Sequence, residues 1–138
     1  MVYESNPWFF EGKPVLEIPT GSESFVYVLT HAESGKAYIG KKLFFFAKTR
    51  QVNGKKKKYK AESDWREYFS SSEEIQKMVS EGQHFTREIL HFCKSKGMAN
   101  YLEAREQMDA RVLEKPDMYF NGIINCRVHR THVKISPH

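Results

Sequence analysis

The chain has 138 residues, 40% of them hydrophobic and 28% charged, which is the make-up of one globular domain and excludes a disordered or fibrous protein. No apolar run approaches the roughly 20 residues of a membrane span, and the opening Met1-Val2-Tyr3-Glu4 lacks the basic end and apolar stretch of a secretion signal. A cytoplasmic protein is therefore expected, with Cys93 and Cys126 as reduced thiols. The net charge of +5 matters because the excess is concentrated. Lys48, Arg50, Lys55, Lys56, Lys57, Lys58 and Lys60 fall in one short stretch that suits contact with a polyanion. The alternative is a solvated lysine loop kept for solubility.

Along the chain, Trp8, Phe9 and Phe10 among Pro7, Pro14 and Pro19 suggest an extended arm or short hairpin over 1–22, pinned to the core by aromatics. Phe25 to Leu29 is β-branched and aromatic, 30–35 supplies turn residues, and 36–42 reads as a second strand, so a β-hairpin is expected. The basic stretch 47–62 has an Asn-Gly turn and neither apolar periodicity, which fits a flexible loop or the tip of an extended hairpin. Ser71 with Glu74 three residues on fits a capping box for a helix whose apolar side is Ile75, Met78 and Val79. A third strand is expected over 84–92 and a turn over 94–97. A helix over 98–113 follows, with Tyr101, Ala104, Met108 and Val112 on its buried face, Glu103 away from it and Pro116 as its stop. Residues 119–128 read as a surface run or last strand, and 129–138 as a loose tail. Cys126, His129 and His132 match no standard zinc spacing.

The hairpin elements Phe25-Val26-Tyr27 and Ala37-Tyr38-Ile39-Gly40, with their tyrosines eleven positions apart, are followed by Lys41-Lys42. Downstream come the segments 63–72, Phe85-Thr86-Arg87-Glu88-Ile89-Leu90, Ala99-Asn100-Tyr101-Leu102-Glu103-Ala104 and 119–125. In this order they resemble the GIY-YIG nucleases, in particular the Seg-like branch of phage-encoded homing endonucleases, over residues 25–128. The first element is a degenerate form of its motif. The resemblance implies a single domain over 1–138 of α/β (α+β) class, a small, mainly antiparallel three-stranded sheet flanked by helices. It also implies an endonuclease that hydrolyses DNA phosphodiesters with Mg²⁺ or Mn²⁺, acting in the host cell if phage-encoded.

Phosphodiester hydrolysis needs a deprotonated water, neutralisation of the phosphoryl oxygens and help for the leaving oxygen. By the resemblance, Tyr27 is the candidate general base, poised by Lys41 or Lys42, and Tyr38 orients the water; the two roles could be exchanged. Glu103 is the candidate metal ligand, a hard oxygen donor suited to Mg²⁺, with Glu106 as a near neighbour of equal chemistry. The arginine is Arg66 or Arg50, with Arg66 preferred for a guanidinium fork on the scissile phosphate. The asparagine is Asn121 or Asn125. Lys41 and the seven cations of 47–62 would hold DNA through its phosphates, as a monomer or as a homodimer on DNA. Homing endonucleases of this type usually append a DNA-binding module, for which the chain leaves no room after Asn125. The alternatives are a non-catalytic nucleic-acid-binding protein and a phage inhibitor of a host enzyme.

Overall fold

The sequence run Ser24–His31 alternates side chains between two apolar surfaces, because Phe25, Tyr27 and Leu29 point one way and Val26 and Val28 the other. A strand that is apolar on both faces belongs in the middle of a covered sheet, and that is where it lies. The computed structural model describes residues 6–125 and 127–133. Its elements are β1 (Trp8–Phe10), β2 (Lys13–Val15), β3 (Ser24–His31), β4 (Ala37–Leu43), β5 (Phe45–Val52), β6 (Lys55–Glu62), α1 (Glu73–Ser80), β7 (Phe85–Cys93) and α2 (Lys96–Asp109). Short 3₁₀ turns follow at Val112–Glu114 and Arg130–Val133.

The fold is α+β, with a mixed sheet ordered β2-β1-β7-β3-β4. It is five-stranded rather than three-stranded, because the N-terminal aromatics form their own hairpin and Phe9 pairs in parallel with Glu88 of β7. One face buries Trp8, Phe25, Tyr27, Leu29, Phe44, Trp65, Ile75, Phe85 and Ile89, with α1 packed over it. The indole of Trp8 donates to Trp65 O at 2.7 Å, which satisfies the one polar group that this large side chain buries. On the other face, Val26, Ile39 and Cys93 meet Met98, Ala99 and Leu102 of α2, and Val112.

Several local expectations move. Ser72, not Ser71, caps α1, its hydroxyl accepting from Ile75 N. α2 starts at Lys96 behind the Ser95 cap and ends at Asp109, seven residues before the proline expected to stop it. Arg111 in the left-handed region turns the chain there. Its buried side is Met98, Ala99, Leu102, Ala104 and Gln107, whereas Met108 is 52% exposed. A glutamine, polar by type and so expected at the surface, is turned inward here.

The basic segment is no loose loop. β5 and β6 pair along their whole length from Phe45↔Glu62 to Val52↔Lys55 and, among the described residues, hydrogen-bond to no other strand, a ribbon turning at Asn53-Gly54 with both residues at positive φ. Residues 118–120 run along β4, with Ala37 N donating to Met118 O and Phe120 N to Ala37 O. Of the tail expected to be loose, Arg130–Val133 forms a turn whose His132 lies on Gly97 of α2, so closely that a Cβ there would overlap the ring. Residue 126, on which the zinc pattern depends, and 134–138 lie outside the described residues.

Candidate active site

β4 is the outermost strand of the sheet beyond β3, so its free edge carries backbone groups that the sheet cannot satisfy. Asn121 supplies what a further strand would have supplied: its Oδ1 accepts from Ile39 N at 3.0 Å and its Nδ2 donates to Ile39 O at 2.8 Å. Gln107 of α2 donates a second bond to the same carbonyl at 2.9 Å. Beyond this clamp the edge opens into a cavity of about 300 Å³, whose lining includes Tyr27, Tyr38, Lys41, Glu103, Gln107 and Asn125.

The cavity straddles the sheet edge. Tyr38 lies opposite Leu29, and so on the same face as Tyr27, whereas Lys41 lies opposite Val26 on the α2 face. Tyr27 is central in the sheet, yet it reaches the edge because its cross-strand partner is Gly40. A Cβ at Gly40 would sit 2.5 Å from the Tyr27 hydroxyl and 2.9 Å from Cε1 of Tyr38. The glycine thus makes the space in which both rings meet, with centroids 6.3 Å apart. A register shift between β3 and β7 falls between Val26 and Tyr27, where such irregularities re-aim a side chain.

From the other face, Lys41 Nζ lies 3.1 Å from Glu103 Oε1. Burial raises the Glu103 carboxyl above its ordinary value, and Lys41 opposes that rise. Tyr27 is 1% exposed. Its phenol is pushed well above 10, first by burial and then by Tyr68, Tyr38 and Glu103. The expected poising of Tyr27 by a lysine is therefore not what these side chains provide. Lys42 turns instead to Asp64, at 2.6 Å, and to the face of Tyr68, at 4.1 Å. The Lys42 hydrogen bond lowers the Asp64 carboxyl.

The structure gathers Tyr27, Tyr38, Lys41, Glu103, Asn121 and Asn125 and leaves both arginines outside. Arg66 bonds Glu62 at 3.1 Å and Leu16 O and stacks on Trp65; Arg50 lies on the ribbon 5.3 Å from the Tyr59 ring. The cation within the cavity lining is Lys41. Glu106 turns to His91, at 2.9 Å, which separates it from Glu103. Sequence reasoning missed Gln107 and Tyr68. Gln107 was findable, since it lies four residues after Glu103 and so on the same side of the helix. The ring of Tyr68 meets that of Tyr27 edge to face, centroids 6.0 Å apart, only through the tertiary fold.

The donor set suits a hard, strongly hydrated cation. Among the described residues no three His, Cys, Asp or Glu side chains cluster as a closed cage would require. Mg²⁺ needs only one or two carboxylates, filling its remaining positions with water and phosphate oxygens. Glu103 is such a carboxylate. Gln107 Oε1 is buried without a protein partner, leaving an acceptor free for a hydrated ion's water.

The site thus sets a two-tyrosine hairpin, an edge cavity and a helical glutamate opposite on one mixed sheet. A family model described as "Putative endonuclease segE, GIY-YIG domain" matches residues 8–124, most of the 138-residue chain, and the chain belongs to this Seg-like branch of the GIY-YIG endonuclease family. No curated protein and no solved structure matched the chain.

Proposed function

We propose that the protein is a DNA endonuclease that hydrolyses phosphodiester bonds with a divalent cation, Mg²⁺ or Mn²⁺, at Glu103. The observation that carries this reading is the convergence of Tyr27, Tyr38, Lys41 and Glu103 on one open cavity at the edge of β4. When bound, the cation would supply charge neutralisation at the phosphoryl oxygens and a more acidic water. Tyr38, less buried than Tyr27, faces the cavity and orients the attacking water. Tyr27 keeps its proton in the protein alone; positive charge in the cavity favours release of that proton to solvent, and the phenolate then takes the water's proton. Water oxygen then bonds to phosphorus as the bond from phosphorus to the ester oxygen breaks, and the departing oxygen takes a proton from solvent water.

Lys41 leaves Glu103 for a phosphoryl oxygen as DNA enters, taking the part expected of an arginine. Asn121, with both amide atoms committed to Ile39, acts by fixing β4, whereas exposed Asn125 keeps its amide for substrate. DNA is held mainly through its phosphates by the ribbon cations Lys48, Arg50, Lys55, Lys56, Lys57, Lys58 and Lys60. The domain is a homing-type nuclease, phage-encoded and at work in the host cytoplasm. Cutting both strands takes two copies on one duplex.

The test is plasmid cleavage at low salt with Mg²⁺ or EDTA, with Glu103→Ala and Tyr27→Phe beside the wild type. Metal-dependent nicking or linearisation lost in both variants supports the reading. Activity surviving Glu103→Ala overturns the ligand assignment. The buried, protonated Tyr27 phenol also suits a protein that binds nucleic acid without cutting it, and a folded wild type that binds but never cleaves would establish that instead.

A further inference from the structure

Residues 47–61 hold seven Lys and Arg and no carboxylate, more positive charge than the whole chain's net +5, so the rest of the domain is not basic. This charge sits on the β5–β6 ribbon, where all seven cations are exposed. Opposed residues share a face. Lys48, Arg50, Lys55 and Lys57 therefore occupy one face with Tyr59, and Lys56, Lys58 and Lys60 the other with Thr49 and Gln51. Near its root the ribbon is tied to the body by Lys60 on Glu23 at 2.5 Å and by Ser63 Oγ donating to Leu43 O at 2.6 Å.

An isolated two-stranded ribbon is marginal in water, and this one also repels itself along both faces. A partner that presents only one negative surface would leave half of the cations in solvent. A groove between two phosphate chains answers both faces. The major groove of B-form DNA, about 12 Å wide, admits a two-stranded ribbon; the minor groove, about 6 Å wide, does not without being forced open. We propose that the β5–β6 ribbon enters the major groove of duplex DNA and is the recognition arm of this domain. The proposal rests on the reading of DNA as the substrate, and it does not require that the DNA be cut.

Binding is measured with the full chain carrying Glu103→Gln, in EDTA, on a random-sequence duplex of about 30 base pairs. Methyl green, which occupies the major groove, should displace the protein, and distamycin, which occupies the minor groove, should not. Duplex RNA, whose major groove is deep and narrow, should compete at least about tenfold more weakly. The variant K55Q/K56Q/K57Q/K58Q should bind with a log–log salt slope shallower by about 3 to 4, at about 0.9 for each phosphate no longer neutralised. Displacement by distamycin but not by methyl green, equal competition by duplex RNA, or an unchanged salt slope would each overturn the proposal. Failure of the nuclease reading gives a different result: wild-type protein that cuts nothing while the groove and salt signatures persist.

Discussion

Asn121 carries the two polar contacts of an absent strand, so its removal strands a buried N–H and weakens the hold on a carbonyl that Gln107 still shares. Asn121→Ala should cost about 2 kcal/mol in urea unfolding and lower cleavage further than that destabilisation explains, through loss of β4's position. Asn121→Asp should be no better, since a carboxylate cannot donate to Ile39 O. Gly40→Ala should fold with Tyr27 and Tyr38 displaced, and, with these tyrosines in their proposed roles, kcat should fall more than DNA affinity, because the added methyl fills the space where the two rings meet. Glu103 gives a signed expectation. Burial raises its pKa in the folded state, so ionisation costs stability, fully above the folded pKa and not at all below the ordinary value near 4.5. Glu103→Gln should therefore melt higher at pH 7 to 8, by roughly 2–4 °C per kcal/mol recovered, with the gain shrinking as the pH falls toward 4.

At the scale of elements, the hairpin and its two tyrosines were legible in the sequence, because a β-branched run, a turn and a second strand leave few other readings. Glu103 stands out in the sequence only through its context, since a glutamate on a helix's polar side is ordinarily just solvated, and the fold places it in the cavity lining. What stayed illegible was long-range: that Tyr68 packs on Tyr27, that Asn121 completes an edge, and that neither arginine lines the cavity. These depend on contacts across tens of residues, which periodicity does not encode. For the basic ribbon the sequence leaves two readings open, a flexible loop and the tip of an extended hairpin, for a different reason. Its strands bury no side chain fully and leave all but Phe45, Val52 and Ala61 exposed, so they carry no alternation of apolar and polar positions. For that reason K55Q/K56Q/K57Q/K58Q should unfold at the same urea concentration as the wild type or slightly above it, which chemical denaturation would check. β4, whose Tyr38 and Lys41 line the cavity, passes through Phe44 into β5. Eight residues of ribbon reach about 26 Å, so cleavage should fall within about one helical turn of the bases that the ribbon covers.

Across the whole molecule, two apolar layers share one sheet, and Arg87 pins the first of them. It is 1% exposed, donates to Asn6 O and to Tyr68 O at 2.9 Å, and lies between the rings of Trp8 and Phe69. Burial lowers its guanidinium to about 10, still charged at any working pH. Because the carbonyl of Tyr68 hangs on it, and the Tyr68 ring packs edge to face on Tyr27, Arg87 couples the N-terminal segment to the cavity. Arg87→Ala should cost about 3 kcal/mol or more in thermal or urea unfolding, the usual scale for breaking a buried charged network.

The clamp on Ile39 also fixes a clock. An amide inside a sheet usually exchanges its hydrogen with solvent when strands part, but the Ile39 N–H is held by a side chain 82 positions downstream, at the sheet's outer edge. It should exchange when the 118–121 segment lifts away, on a faster schedule than Tyr27 or Val28 deeper in the sheet and without global unfolding. That single amide would report, in real time, how often the floor of the cavity comes apart while the rest of the domain stays folded.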